Sequence, residues 1–417
     1  MLLFLYLLNI ELVRSGKIHM SSENTFNTSP QNSIQATLAL FHLPGVGPNK
    51  HHKLVEWFGS ASAVISGDRK LIQAAGVKPE SIRLLDAYAQ SGLNSQLGCL
   101  IERDLEWLSH SGNTILLLDD DNYPSLLKHV DSPPPVLFVR GHCELLSEPQ
   151  LAIVGSRNPS IDGKDNAYRF AKSMVNMGLA VTSGMALGVD GSAHQGAIDG
   201  GGYTIAVVGT GADIIYPARH RGLADKILEK GVIVSELPLG TQPQPANFPR
   251  RNRIISALSM GVLVVEASPK SGSLITAHCA LDQGREVYAI PGSIHNPMAR
   301  GCHQLLRQGA KLVESAEDIF EELSSLLAFH QFVRNEPMSA ESVPQDLFDH
   351  EAVQELTEQE TLLLKLIGYD MVSVDGVVER SELSVEDVSF QLMSLELKGL
   401  IQSVPGGFQR CRELEPA

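Results

Sequence analysis

The stretch LAIVGSRNPSIDGKDNAYRFAKSMVNMGLAVTSG, residues 151–184, decides the fold of this chain. Its first apolar run ends in Gly-Ser, an amphipathic segment follows from about Asp162 to Met177, and a second apolar run ends in Ser-Gly. Continuous apolar strands joined by an amphipathic helix are typical of a parallel sheet that helices cover on both faces. The stretch therefore predicts a strand-helix-strand unit.

The same unit recurs farther along the chain. The apolar runs YTIAVVGTG, VIVSELP, GVLVVEA, EVYAIPG and KLVES alternate with segments of helical character, among them Pro217–Lys230 and Asn252–Leu258. We therefore predict an α/β fold for residues 113–330, an extended Rossmann-like doubly wound parallel sheet. In such sheets ligands bind beyond the carboxyl ends of the strands, where Gly155-Ser156 and Ser183-Gly184 stand.

Charge is distributed unevenly over the 417 residues, whose formal net charge is −15. Residues 1–150 have a net charge of −4 and residues 312–417 a net charge of −16. Residues 151–311 hold 16 Lys and Arg against 11 Asp and Glu, a net charge of +5. We expect an anionic partner at this middle block, and not at the acidic C-terminal part.

The segment NFPRRNR, residues 247–253, places three arginines beside an aromatic residue in the predicted turn after VIVSELP. Arginine forks match phosphate oxygens, and an aromatic ring such as Phe248 stacks on bases. Taken alone, the run is more typical of a solvated helix start. Within the basic block, beside Gly155-Ser156-Arg157 and beside Ser271-Gly272-Ser273 at a helix start, it predicts a site for phosphate groups.

Motifs of nucleotide-hydrolysing and redox enzymes are missing from the sequence. Gly163-Lys164 is followed by Asp165, so no P-loop is present, and Gly209-Thr210-Gly211 lacks the third glycine of a dinucleotide-binding turn. No G-x-S-x-G pentad occurs. We expect no cofactor, no metal site and no catalytic residue. Five widely spaced cysteines without a C-x-x-C pair favour a reducing, cytoplasmic compartment.

The chain begins with the apolar run MLLFLYLLNI, whereas a membrane span needs about 20 residues. Two interpretations stay open: a signal or anchor segment, or a stretch upstream of a true start at Met20. We favour the second. Residues 1–33 are therefore set aside as a disordered or mis-started leader, and we expect no membrane partner.

The flanking regions predict two further modules. Residues 34–112 form a compact helical domain, in which LPGVG at Leu43–Gly47 is a helix-hairpin-helix pattern. Its glycines either let backbone N–H groups approach a phosphate or only make a tight turn, and both interpretations stay open. Residues 331–353 are expected to be a linker. Residues 354–417 have the outline of a winged helix. Its third helix is acidic and apolar, which favours binding of a protein over binding in a DNA groove.

The middle block also resembles a known family. The segments AIVGSRNPS, VTSGMALGVDGSAHQGAI, TIAVVGTGADIIYP, SELPLGTQPQPANFPRRNRIISALS and VVEASPKSGSLITAHCALDQGREVYAIPGS are similar, in this order, to those of the DprA/Smf family of DNA-processing proteins. The resemblance implies a sterile-alpha-motif-like N-terminal domain, an extended Rossmann domain and a winged-helix C-terminus. It also implies a non-enzymatic protein that binds and protects single-stranded DNA during natural transformation and homologous recombination, loads RecA, and forms homodimers through the Rossmann domain.

The resemblance implies the DNA-binding residues, position by position: Ser156, Arg157, Ser183, Gly184, Asn247, Phe248, Arg250, Arg251, Arg253, Ser271, Gly272 and Ser273. The alternative is a Rossmann-like nucleotide hydrolase of the phosphoribohydrolase type, with Glu236 and Glu266 as catalytic carboxylates. That group has a PGGxGT motif, whereas here Pro291-Gly292 is followed by Ser293-Ile294. A winged-helix transcription factor would need a basic recognition helix, and this one is acidic.

Overall fold

The computed structural model describes residues 30–335 and, near the C-terminus, residues 358–367, 372–381, 383–397, 400–404 and 407–410. These belong to two compact units, one up to Glu336 and one from Pro337. The predicted leader, except its last residues, and most of the predicted linker lie outside the described residues. The domain boundaries inside the first unit stay a prediction.

A helical layer opens the first unit. Its helices are α1 (Pro30–Phe41), α2 (Pro48–Phe58), α3 (Ala61–Ser66), α4 (Arg69–Ala74), α5 (Pro79–Ser91) and α6 (Gln96–Leu108). Between α1 and α2 the chain turns at Gly45, whose φ of +75° suits glycine, and Pro48 begins α2 without losing a helical hydrogen bond. Leu54, Leu85 and Ile101 are buried in a common core, which also includes Phe138 of the sheet. The layer therefore packs directly against the sheet.

The sheet of the first unit has nine strands in the order β1-β2-β6-β5-β4-β3-β7-β8-β9. They are β1 (Asn113–Leu117), β2 (Val136–Gly141), β3 (Gln150–Val154), β4 (Ala180–Ser183), β5 (Thr204–Val207), β6 (Val232–Ser235), β7 (Gly261–Val264), β8 (Glu286–Ala289) and β9 (Lys311–Leu312). Strands β3 to β9 pair in parallel, while β2 runs antiparallel to both β1 and β6. The predicted extended Rossmann-like sheet is confirmed.

Helices cover both faces of this sheet. They are α7 (Ser125–Lys128), α8 (Ile161–Asn176), α9 (Val189–Asp199), α10 (Arg221–Lys230), α11 (Asn247–Leu258), α12 (Gly272–Asp282), α13 (Arg300–Arg307) and α14 (Glu317–Asn335). Alternate residues of β3 enter different cores, because successive side chains of a strand point to opposite faces. Leu151 and Ile153 pack with α8, α9 and α14, whereas Ala152 and Val154 pack with α11 and α12. Strand order reverses at β3, between β4 and β7.

Helix α11 begins earlier than the sequence predicted. It starts at Asn247 and not near Asn252, so the arginine run lies on a helix instead of in a turn. Pro249 is the third helical residue, where the backbone N–H is unpaired in any helix and its loss costs nothing. This difference decides which way each arginine points.

The second unit contains α15 (Glu358–Ile367), α16 (Val374–Ser381), α17 (Val385–Leu397) and a hairpin of β10 (Ile401–Val404) and β11 (Gly407–Arg410). Leu363, Val377, Leu392 and Ile401 are buried in its core. The predicted winged-helix outline is confirmed. Across the described parts of both units, no helix combines the length and the apolar character that crossing a membrane requires.

We predict that Gly196→Ala destabilises the first unit. Helices α8 and α9 cross so closely that a Cβ at Gly196 would lie 2.2 Å from the carbonyl oxygen of Tyr168. Overpacking of this kind costs about 1–3 kcal/mol. Gly222→Ala in the first turn of α10 is the matched control, because a Cβ there meets no atom of the described residues within 4 Å and alanine is accepted in a helix. Urea unfolding checks the pair; equal midpoints for the two variants would contradict the close crossing.

Candidate nucleic-acid interface

A cavity of about 780 Å³ opens beyond the carboxyl ends of β3 and β7, where the strand order reverses. This is the position at which doubly wound sheets bind ligands. The structure brings most of the predicted site residues to its wall: Ser156, Arg157, Phe248, Arg251, Ser271, Gly272 and Ser273. We call this space the strand-end cavity.

The periodicity of α11 divides the arginine run between two sides. At about 3.6 residues per turn, Phe248, Arg251 and Asn252 share one face, and all three line the strand-end cavity. Arg250 and Arg253 lie on the opposite face and do not line it. Asn247, half-buried at the first position of α11, does not line it either. The three arginines therefore do not form a single site.

Phe248 is held at the wall of the cavity by a cation and by a second ring. The guanidinium carbon of Arg157 lies 5.3 Å from the centroid of its ring, within the range of a cation–π contact. The ring of Tyr216 lies 5.8 Å away, tilted by 35°. A Cβ at Gly209 would approach Cδ1 of Phe248 to 2.8 Å, so the glycine turn after β5 makes room for the ring.

Arg251 is buried and connects the ends of two strands. Its Nη1 donates to the carbonyl oxygen of Gly184 at 2.6 Å and also to that of Val207. Burial lowers the pKa of Arg251 to about 10, and the negative charge of Asp190 limits this decrease. The guanidinium therefore stays protonated at neutral pH. A Cβ at Gly184 would come within 2.7 Å of the guanidinium carbon. Arg251 thus organises the edge of the sheet as well as lining the cavity.

Asp190 and Ser183 are buried near Arg251 at the same edge of the sheet. Asp190 is buried and accepts a hydrogen bond from the backbone N–H of Ala186 at 3.2 Å. Burial raises the pKa of Asp190, and the Arg251 charge opposes that rise. Ser183 is fully buried and donates from Oγ to the carbonyl oxygen of Ile153 at 2.6 Å. Ser183 therefore holds two strands together instead of lining the cavity, and Gly184 lines a smaller neighbouring cavity.

The N-terminus of α12 forms the opposite wall. Ser271 caps the helix, its Oγ accepting from the N–H of Ser273 at 3.3 Å and lying 2.6 Å from Oγ of Ser273. Nδ2 of Asn252 donates to the carbonyl oxygen of Gly272 at 3.0 Å, which fixes α12 to α11. A helix N-terminus carries partial positive charge and unpaired N–H groups, so this wall favours an anion.

Arg250 and Arg253 are bound by a buried carboxylate on the other side of α11. Glu236, which follows β6, is 2% exposed, and its Oε1 lies 3.1 Å from Nε of Arg250. Oε2 of Glu236 accepts from Nη2 of Arg253, whose Nη1 donates to the carbonyl oxygen of Ser132 at 3.0 Å. Glu236 thus fixes both arginines on the face of α11 that points away from the strand-end cavity.

The two carboxylates of the alternative enzyme interpretation both have partners inside the protein. Glu266 is buried and accepts from the backbone N–H of Ser160 at 2.9 Å and from its Oγ at 2.6 Å. Glu236 binds the two arginines described above. Among the described residues, no cluster of three or more His, Cys, Asp or Glu side chains is placed to hold a metal ion.

Sequence reasoning missed Asn252, Tyr216 and Asp190. Asn252 lies inside the quoted NFPRRNR segment, four residues after Phe248, and helical periodicity would have selected it once α11 was extended to Asn247. Tyr216 stands in the quoted segment TIAVVGTGADIIYP, where its aromatic character was the available signal. Asp190 gave no signal beyond an acidic residue in the first turn of a helix.

An extended Rossmann sheet with a cationic cavity at its strand ends, followed by a winged helix, defines the class of protein. The family model for DNA recombination-mediator protein A matches residues 114–324, and the model for the DprA winged helix domain matches residues 349–407. The chain belongs to the DprA family of DNA-processing proteins, as the sequence predicted.

Individual relatives agree with this assignment. The chain is 43% identical to Protein Smf of Escherichia coli (strain K12), over 75% of this chain and 81% of that protein. It is 42% identical to DNA processing protein DprA of Bacillus subtilis (strain 168), over 61% of this chain and 82% of that protein. The crystal structure of DprA from Streptococcus pneumoniae superimposes with a TM-score of 0.57 at 34% identity, covering 70% of this chain and 97% of that one.

We predict that Arg251→Met makes stability depend on pH through Asp190. The substitution removes the positive charge that opposes the effect of burial on the Asp190 carboxyl. Without the guanidinium, the raised pKa of Asp190 rises further, so the folded state binds a proton more tightly than the unfolded state. The free energy of unfolding is then greatest below the ordinary carboxyl pKa, and it falls as the pH rises toward the pKa of Asp190 in the folded state.

Urea unfolding of Arg251→Met between about pH 5 and 8 measures this loss. The double variant Arg251→Met with Asp190→Asn is the control, because it has no carboxyl group at position 190 to titrate and should lose the pH dependence that Arg251→Met adds to that of the parent. Parallel curves for Arg251→Met and the parent would refute the coupling.

Proposed function

We propose that this protein binds single-stranded DNA in the strand-end cavity without chemically altering it. The observation that carries the proposal is the contact of Phe248 with the Arg157 guanidinium at the cavity wall. An aromatic ring beside cationic donors is the combination by which proteins bind the bases and phosphates of single strands. A base must leave the stack to reach such a ring, which favours a single strand over a duplex.

The electrostatics of the cavity support a phosphate ligand. Arg157 is exposed at its wall, Arg251 is charged, and the N-terminus of α12 faces it. The buried Asp190 offsets one of these charges at most. Positive charges therefore outnumber negative ones at the cavity wall, inside a chain that is acidic as a whole. Backbone and arginine donors recognise phosphate without reading the sequence of bases, so binding should be sequence-tolerant.

Family membership supports the wider role. We propose that the protein works in the cytoplasm as a homodimer formed through its Rossmann domain, protects DNA that enters during natural transformation, and loads RecA onto it for homologous recombination. The acidic winged helix would then contact a protein instead of DNA. We assign no catalytic residue and no cofactor.

We predict that Arg157→Ala and Phe248→Ala each weaken binding of a fluorescein-labelled oligo(dT). Loss of a stacking ring costs about 1–3 kcal/mol per base, which is about 5- to 150-fold in Kd. Arg157→Ala should also reduce the slope of log affinity against log salt by about 0.7, the value for one phosphate on a single strand. Fluorescence anisotropy across a salt series measures both quantities.

Arg169→Ala is the matched control for Arg157→Ala. Its guanidinium is exposed on α8 and pairs with Asp165, outside the cavity, so its affinity and salt slope should equal those of the parent. Unchanged affinity in both Arg157→Ala and Phe248→Ala would show that the cavity is not the site. Release of free base from nucleoside monophosphates, lost in Glu266→Gln, would contradict the non-enzymatic assignment.

We predict that the protein lets RecA displace single-strand-binding protein from DNA, measured as RecA filament assembly. Arg157→Ala should slow assembly in proportion to its loss of DNA affinity, because the mediator must hold the strand that it passes on. Assembly that is no faster with the protein than without it would remove RecA loading from the proposal and leave DNA binding intact.

A further inference from the structure

A second cavity, of about 380 Å³, opens on the face of α11 that points away from the strand-end cavity. It lies between the helix-hairpin-helix turn, the loop around Ser132, and α11. We call it the hairpin groove and define it by Gly45, Gly47, Lys50, Ser132, Arg250 and Arg253. Two arginines that the sequence assigned to the first site thus face a different space.

The side chains around the hairpin groove are mainly cationic donors in fixed positions. Glu236 is buried and holds Arg250 and Arg253, while the Arg250 side chain remains 45% exposed. Nζ of Lys50 donates to the carbonyl oxygen of Gly45 at 3.0 Å, which places the ammonium over the turn. Asp131 is the acidic residue at the edge of the groove. Among the described residues, no aromatic side chain lines it, so the groove suits a charged group and not a base.

The backbone of the turn adds further donors. Helix α2 has Gly47 as its N-cap, without a side-chain capping hydrogen bond, and Pro48 follows as the first helical residue. The N–H groups of the first helical turn have no intrahelical partner, and the helix dipole makes this end electropositive. Glycine at the cap leaves the approach to these groups open, since a Cβ at Gly47 would meet no protein atom within 4 Å.

A buried histidine without a partner lies next to the same turn. His51 is 6% exposed, and neither of its ring nitrogens makes a hydrogen bond to a residue that the structure describes. It lines a cavity of about 170 Å³ that shares Gly47, Pro48 and Arg250 with the hairpin groove. Burial, with a smaller contribution from His52, lowers the pKa of His51 to about 4, so the ring is neutral and carries one N–H. Buried polar atoms normally have hydrogen-bond partners, so the two unpaired ring nitrogens of His51 point to a ligand.

We propose that the hairpin groove binds a phosphodiester group of the same DNA strand whose base contacts Phe248. Lys50, Arg250 and the N-terminus of α2 would bind the phosphate, and α11 would be the wall shared by the two sites. The inference rests on the proposed function. Under this proposal the LPGVG turn makes a phosphate contact and is more than a tight turn.

The test compares two lengths of labelled oligo(dT), because the two sites lie on opposite faces of one helix. A strand of about 4 nucleotides, the lower end of single-strand site sizes, fills the strand-end cavity alone, whereas one of about 16 nucleotides reaches both sites. Lys50→Glu should weaken binding of the long strand about tenfold and reduce its salt slope by about 0.7, while leaving the short strand unaffected. Gly47→Ala should weaken the long strand alone, because its methyl group blocks the approach to the turn.

Lys53→Glu on the same helix is the matched control, because it makes the same charge change at a lysine that does not line the groove and lies over Trp57 instead. It should bind both strands as the parent does. His51→Leu separates structure from binding: it removes two unpaired buried nitrogens and should raise the unfolding temperature while weakening the long strand. Higher stability with unchanged affinity would assign His51 a packing role and overturn its part in the site.

The outcomes distinguish this inference from the function on which it rests. If the parent binds neither strand, the proposed function fails. If the parent binds both, and Lys50→Glu and Gly47→Ala leave the long strand unchanged or weaken both strands equally, the hairpin groove is not a second contact and the inference alone is overturned.

Discussion

A buried guanidinium at the carboxyl edge of the sheet is the interaction on which the functional architecture depends. Arg251 donates to the carbonyl oxygens of Gly184, just after β4, and of Val207, the last residue of β5. Burying a guanidinium costs several kcal/mol, which these hydrogen bonds and the charge of Asp190 offset. Because a helix is rigid, the rotation of α11 that places Arg251 there, and that also buries Ile254 and Leu258 in the core, sets the direction of every other side chain on that helix.

That rotation gives one short helix two functional faces. Phe248 meets Arg157 and Tyr216 on the side of the strand-end cavity, while Arg250 and Arg253 meet Glu236 on the side of the helical layer. A buried carboxylate offsets arginine charge on each side: Glu236 contacts Arg250 and Arg253, and the charge of Asp190 acts on Arg251. The negative charge of the protein is concentrated in residues 312–417, away from this helix in sequence. The chain can therefore be acidic as a whole and still have cationic surfaces on α11.

Much of the site could be predicted from local pattern. Ser156, Arg157 and Ser271–Ser273 follow strand ends or begin a helix, and parallel strands bring such positions to one edge. Arg250 and Arg253 were assigned to the same site because the segment was predicted to lie in the turn after VIVSELP, whereas it forms the first turns of α11, where Pro249 is accepted. Ser183 was predicted as a ligand contact from its strand-end position, yet its hydroxyl binds the Ile153 carbonyl, a partner that neighbouring residues do not reveal.

The sequence by itself determined the family, the alternation of strands and helices, and the block of the chain that is basic, because periodicity, motif order and charge are local properties. Only the tertiary structure decided which arginine is buried, which pair is held by Glu236, and that Tyr216 and His51 lie beside the two cavities. Those facts depend on the rotation of α11 and on contacts between residues far apart in the chain, which no local pattern records.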